Sequence, residues 1–389
     1  QMSNLPINAV MVASSNELHL SAFRQHPEYN SFRGRIVRIR MGYLLDVHRE
    51  QEIYDGQIVP QIPKHVAPHT TYVAALWSVL TRLRKPDASR YSNSDVGTIV
   101  ASLTPLEKAD LLADGTVPSR FDADQGKLLA GAVAEVEREG TSVSDYEGIS
   151  GASPREIRML LLDAAADYDE ACVSPVTLLQ RMAEFCERDD YEFLKAQPDG
   201  PYRDHPAFVD QVRERWLDIV EGELRAASGL IDEQSPLSLF DRYVTQVSHW
   251  VKKERVFNPL TGQDEEADVD LMRGVEKNLD AEDAETFRNE LLSAVAAWAI
   301  DHPDRDVDYE ELFPHFIEQL RQAYFDERRA QIGDIGRAIV GVIDEEDGLE
   351  DDVREAGQQA LQVLIGVYGY ERSSAKVALG ALVDARYQD

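Results

Sequence analysis

Three stretches of this sequence carry side chains whose type and placement suit phosphate chemistry. Asn16 stands in VMVASSNE, residues 10–17, just past an apolar run that reads as a buried strand. At the C-terminal end of a strand in an open α/β sheet, a carboxamide can orient an attacking water or touch a terminal phosphate. The same residue type also caps helices and turns. Arg33 and Arg35 lie in FRGRIVRIR, within a window (residues 21–40) that holds Arg24, Arg33, Arg35, Arg38 and Arg40 against one acid, Glu28. An arginine ahead of a strand can stabilise charge that develops on a phosphate held by a neighbouring subunit. It can equally pair with surface carboxylates, an interaction worth about 0–1 kcal/mol. Arg155 falls in GISGASPRE, at the second position of a helix announced by Ser153 and Pro154, with Glu156 completing a capping box. A helix N-terminus attracts anions and an arginine there adds a full charge, although a first-turn arginine can also stand in solvent without a ligand.

The elements that must position these residues are mostly helical. Residues 7–13 (INAVMVA) predict a first strand, and residues 35–44 (RIVRIRMGYL), where Ile36, Val37, Ile39 and Met41 are interleaved with arginines, a second and partly exposed one. Between them, residues 17–32 read as short helix or loop. After Asp46 the period becomes helical: 47–58, 69–84, 104–113, 122–139, the Ser-Pro starts at Ser153 and Ser174, 207–227, 238–257, 267–278, 281–300, 308–331, 333–345, 350–367 and 372–386. The helix over 69–84 should stop at Lys85-Pro86. KAQPDGPYRDHP (195–206), rich in Pro, Gly and Asp, is the best domain boundary, and NPLTGQDEE (258–266) reads as a turn. The fold class is therefore mainly α, in three parts: a short α/β segment over 1–45, a helical part over 46–195, and a multi-helix domain over 196–389.

Composition excludes several functions. The chain of 389 residues has 71 acidic against 40 basic residues, a formal net charge of −31. That balance argues against a general nucleic-acid-binding surface and against docking on an anionic membrane. No apolar run reaches the roughly 18 residues of a membrane span; LLSAVAAWAI (291–300) is too short. Two cysteines, Cys172 and Cys186, lack metal-site spacing, so a reducing cytoplasm is the default and both thiols are expected in or near a core. Pro68 breaks the helix that would align His65 and His69 as metal ligands, so no metal site is expected there. Phe240, Tyr243 and Trp250 fall at helical spacing and read as core. No Ser/His/Asp set can be assembled from the sequence. The phosphate-loop pattern is also absent: around Gly126-Lys127, Phe121 stands where the first Gly is needed and Leu128 where Ser or Thr is needed.

Taken in order, the asparagine at a strand end, the arginines before the next strand and the Gly-Ala-Ser-Pro-Arg helix resemble the back half of an AAA+ ATPase. The stretch ASSNELHLSAFRQHPEYNSFRGRIVRIRMGYLLDVHREQEIYD resembles the PrkA-type serine protein kinases, in which an AAA+ core precedes a kinase-assigned C-terminal domain. LFDRYVTQVSHWVKKERVFNPLTGQ, DLMRGVEKNL, FRNELL and GYERSSAKVAL are similar to that family's C-terminal region. The resemblance is diffuse between about 85 and 145.

The resemblance implies that residues 1–45 are the end of an AAA+ core, 46–195 its lid and 196–389 the PrkA-type C-terminal domain. It makes Asn16 a sensor-1-like residue, Arg35 (alternatively Arg33) an arginine-finger-like residue, and Arg155 a sensor-2-like residue on the ATP γ-phosphate. ATP and Mg2+ would bind to a longer parent; this chain alone is not expected to hold either tightly. Serine/threonine phosphorylation linked to stress or nutrient state, protein substrates or regulatory partners, and a homo-oligomeric parent follow from the same resemblance. The eukaryotic-type kinase signatures are absent, with no H-R-D and no D-F-G. That leaves two alternatives: a non-catalytic helical module coupled to the ATPase, or an AAA+ remodelling or protease component.

Overall fold

The computed structural model describes residues 9–141, 147–229, 236–253, 255–258, 263–265, 267–279, 283–301, 307, 309–346 and 349–387. The chain divides into two units, Gln1–Gly42 and Tyr43–Asp389.

In the first unit, Asn16 starts helix α1 (Glu17–Gln25), its side-chain oxygen accepting from the His19 N–H at 2.9 Å. A second short helix, α2 (Tyr29–Arg33), follows, and the Phe23 and Tyr29 rings meet edge to face at 5.5 Å. The two expected strands are not formed. Residues 9–15 and 36–45 carry no strand pairing, and Val10, Met11 and Val12 are all more than 90% exposed (94%, 92% and 94%). The physical reason is cooperativity: extended segments gain their ladder hydrogen bonds only from neighbouring strands, and a pair of strands alone is marginal in water. Residues 7 and 8 of the first expected strand lie outside the described residues.

The second unit is helical. Its first part contains α3 (Val47–Gln57), α4 (Thr70–Arg82), α5 (Ser94–Ala101), α6 (Pro105–Asp114), α7 (Ala123–Thr141), α8 (Pro154–Ala165) and α9 (Pro175–Cys186). Its later part contains α10 (His205–Ala227), α11 (Pro236–Lys252), α12 (Val269–Asn278), α13 (Ala284–Asp301), α14 (Tyr309–Leu312), α15 (Pro314–Ile343), α16 (Asp351–Tyr368) and α17 (Arg372–Arg386). Two three-residue strands, Val256–Asn258 and Gln263–Glu265, pair antiparallel around the sequence expected to turn; residues 259–262 lie outside the described residues. Among the described residues no helix is long and apolar enough to cross a membrane.

Helix α4 is the spine of the main core. Its run of Val73, Leu76, Trp77, Val79 and Leu80 is fully buried against α3, α6, α9 and α10. The same core continues through Trp216 and Val220 of α10 to Ile339 of α15, Leu361 of α16 and Leu382 of α17. A second core joins Phe240, Tyr243 and Val247 of α11 to α12, α13 and the first half of α15, with Trp250 packed at its edge. A third joins α5, α6 and α7 through Val100, Leu111 and Val136. Cys172 is buried and Cys186 half-buried, as their apolar settings suggest.

Helix α15 corrects the sequence reading, which broke it between residues 331 and 333. It runs unbroken for 30 residues, about 45 Å at 1.5 Å per residue, and serves two cores. Gly333, inside this helix, allows a close approach: a Cβ at this position would lie 3.0 Å from the Tyr387 ring. Helix α5 was not anticipated at all.

Candidate functional site

The N-terminus of α8 is built as the spacing of Ser153 and Glu156 requires. The Ser153 hydroxyl accepts from the Arg155 N–H at 3.3 Å, and the Glu156 carboxylate accepts from the Ser153 N–H at 2.7 Å. Ile157, Leu160, Leu161 and Ala164 bury one face of the helix, which packs on α9. Arg155 points the other way. It is exposed, and its guanidinium meets no hydrogen-bond or ion-pair partner among the described residues. Arg158, one turn on, is engaged with Gln61 at 2.7 Å.

The loop that leads into α8 is clamped by two buried ion pairs. At its start, Lys108 of α6 donates to Glu147 at 2.5 Å and to the Arg84 carbonyl at 2.9 Å, and Glu147 also accepts from the Arg84 N–H at 2.7 Å. At its end, Arg82, the last residue of α4, donates to the Ala152 carbonyl from Nε (2.9 Å) and Nη2 (2.7 Å), to Glu50 from Nη2 (2.6 Å) and to the Leu44 carbonyl from Nη1 (2.8 Å). The Arg82 and Glu50 side chains are 0% and 1% exposed. Tyr54 donates to the same Glu50 oxygen at 2.6 Å. Burial first, and then the neighbouring Glu50 carboxylate, push the Tyr54 phenol far up, partly offset by Arg82; it stays a donor at any working pH. Between the clamps, Gly151 has φ +125°, a backbone region open to glycine.

The other three phosphate-handling candidates lie in the first unit. Asn16 spends its side-chain oxygen on capping α1, which leaves its amide nitrogen without a partner among the described residues. Arg33 ends α2 and Arg35 follows it; both are exposed, and no hydrogen bond joins either to Asn16.

Sequence reasoning missed the support. Arg82 sits inside the apolar run ALWSVLTRLR, and a charge on a buried helix face was the one available signal. It also missed a contact that sequence distance hides. His65 Nε2 lies 3.0 Å from the Ser374 hydroxyl and His65 Nδ1 lies 3.5 Å from Glu371. The order is that of a hydrolytic triad, but Ser374 is 1% exposed and completes the N-terminal capping box of α17, where no protein substrate can reach it. His69, four residues on, bonds Glu223 of α10 at 2.8 Å, and Tyr370 donates to the other Glu223 oxygen at 2.7 Å. Both histidines therefore fasten the loop before α4 to the C-terminal helices.

The family model for the PrkA serine protein kinase C-terminal domain matches residues 106–380, and that for the PrkA AAA domain matches residues 1–90. The chain is similar to the ATP-dependent protease PrkA of Bacillus subtilis (strain 168), at 25% identity over 374 residues, 95% of this chain and 53% of that protein. It is also similar to the serine/threonine kinase YeaG of Escherichia coli (strain K12), at 24% identity over 299 residues, 76% of this chain and 42% of that protein. The chain thus spans about half the length of the curated relatives it matches. No solved structure matches it. With the C-terminal domain model covering most of its length, and the AAA model its beginning, the chain belongs to the PrkA family.

Proposed function

We propose that this chain supplies the nucleotide-sensing lid and the C-terminal helical domain of an ATP-dependent PrkA-type protein that acts on other proteins, by serine/threonine phosphorylation. One observation carries the nucleotide part: an exposed arginine with no partner among the described residues, Arg155, stands at N2 of a helix whose lead-in is clamped by two buried ion pairs. A free guanidinium at a positive helix end fits a phosphate. In the longer protein ATP binds with Mg2+, and Arg155 meets the γ-phosphate. The Asn16 amide nitrogen orients the attacking group. Arg35, or Arg33 beside it, reaches the nucleotide of a neighbouring subunit in a homo-oligomer. Substrates and partners are proteins, and the compartment is the cytoplasm. Nucleic acid and membrane are not partners, in keeping with the net charge of −31.

The relatives' names divide between kinase and ATP-dependent protease, and both activities use ATP. The Bacillus name favours a second reading, ATP-driven remodelling or proteolysis. The absence of kinase signatures favours a third, in which residues 196–389 are a non-catalytic module that binds partners. Two assays on the full-length protein decide. Arg155→Ala should lower ATP turnover by about 10²-fold, the scale for losing one donor to developing charge; unchanged turnover removes Arg155 from the sensor role. With γ-labelled ATP and a protein substrate, label on serine or threonine supports the kinase reading. ATP-dependent loss of the substrate without label supports the protease reading.

A further inference from the structure

We infer that Arg82 is a positioning residue for ATP turnover, holding the lead-in of α8 so that Arg155 is delivered at one fixed place. The inference rests on the sensor reading of Arg155. Arg155 itself touches nothing that fixes its guanidinium among the described residues, so its placement depends on the backbone that carries it. That backbone is held at Ala152, three residues earlier, by consecutive residues of α4. The Thr81 hydroxyl accepts from the Ala152 N–H at 2.9 Å, and Arg82 donates twice to the Ala152 carbonyl. Gly151 lies on the same two residues: a Cβ there would be 2.7 Å from the Arg82 Cγ and 3.0 Å from the Thr81 carbonyl. The third arm of the guanidinium holds the Leu44 carbonyl, so the first residues of the second unit and the start of α8 share one anchor.

A stability role alone does not explain this choice of residue. A fully buried ion pair is weak support for stability, because apolar side chains of similar volume often do as well. What the planar five-donor fork adds is simultaneous reach to acceptors on three different segments, Leu44, Glu50 and Ala152, which a lysine cannot span from one nitrogen. Catalytic geometry is sensitive to such support, since a misplacement of about 1 Å can cost about 10²-fold in rate.

The test uses the full-length protein and five variants: Arg82→Lys, Thr81→Val, Arg155→Ala, and Arg155→Ala combined with each of the first two. Circular dichroism and thermal midpoints establish that each is folded. Thr81→Val is nearly isosteric and loosens Ala152 without exposing Glu50, so it carries the test if the lysine variant does not fold. The expected result is a fall in kcat for ATP of about tenfold or more in each single variant, with no further fall beyond about twofold when Arg155 is already alanine. Additive losses in the combined variants would overturn the inference, because Arg82 would then act on the fold at large. So would wild-type turnover in Thr81→Val alongside a slow Arg155→Ala. Wild-type turnover in Arg155→Ala would instead refute the sensor reading on which the inference stands.

Discussion

Lys108→Met should destabilise the protein by about 3–5 kcal/mol, the cost of leaving a buried charge without its partner. Lys108 and Glu147 are 2% and 3% exposed. Removing the ammonium leaves Glu147 with the Arg84 N–H as its remaining bond among those described, while its second oxygen already has none, and strips the Arg84 carbonyl of its lysine donor. The lost bond to the Arg84 carbonyl is of the ordinary hydrogen-bonding kind, worth about 0.5–1.5 kcal/mol. Adding Glu147→Gln to Lys108→Met removes the orphaned charge but keeps an acceptor for the Arg84 N–H. The double variant should therefore recover about 2 kcal/mol or more of the single variant's loss. Urea unfolding followed by tryptophan fluorescence reports it directly, since Trp77 and Trp216 both sit in the main core. A single variant within about 1 kcal/mol of wild type, or a double variant worse than the single, would refute the reasoning that this pair is a desolvated clamp.

Three further outcomes follow from the same structure. Gly151→Ala should cost about 1–3 kcal/mol, because it combines φ +125° with a contact to the Thr81 backbone that cannot yield; denaturant midpoints check it. Burial holds the His205 pKa below its usual value: its Nε2–H bonds the Phe193 carbonyl at 2.9 Å, and a second proton would sit on a buried Nδ1 with no acceptor. The unfolded chain then binds the proton more readily, so this contribution is complete above about pH 7 and is lost as pH falls below about 6.5. Stability measured against pH should decline less steeply in His205→Gln than in wild type, and identical slopes would count against this assignment. Burial pushes the Cys186 thiol up to about 12 and raises that of Cys172 as well, so iodoacetamide at pH 8 should label neither until the protein unfolds.

How far the sequence could be read depended on the range of the interaction. Capping is local, so Ser153-Pro154 and Ser174-Pro175 placed the starts of α8 and α9 to the residue, and α4 ends at Arg82, ahead of Lys85-Pro86. Helical periodicity likewise gave Phe240 and Tyr243 their buried places. Strands failed because a strand's stability lies in its neighbours, and Val10 and Val37 pair with no strand among the described residues. The unbroken course of α15 past residue 332 was not legible because part of its support, the close approach of Tyr387 over Gly333, is distant in sequence. Arg155 was legible as a charged first-turn residue. The clamps that hold it were not, since Glu50 and Arg82 are 32 residues apart and Lys108 and Glu147 are 39 apart, and no local pattern joins them.

The most direct test of the account is calorimetric titration of ATP with Mg2+ into this chain, alongside the full-length protein. The phosphate-loop pattern is absent from these residues, so the expected result is a clear binding heat for the full-length protein and none for the chain alone. Micromolar binding to the chain alone would contradict it, and would mean that the helical domains hold a nucleotide site of their own.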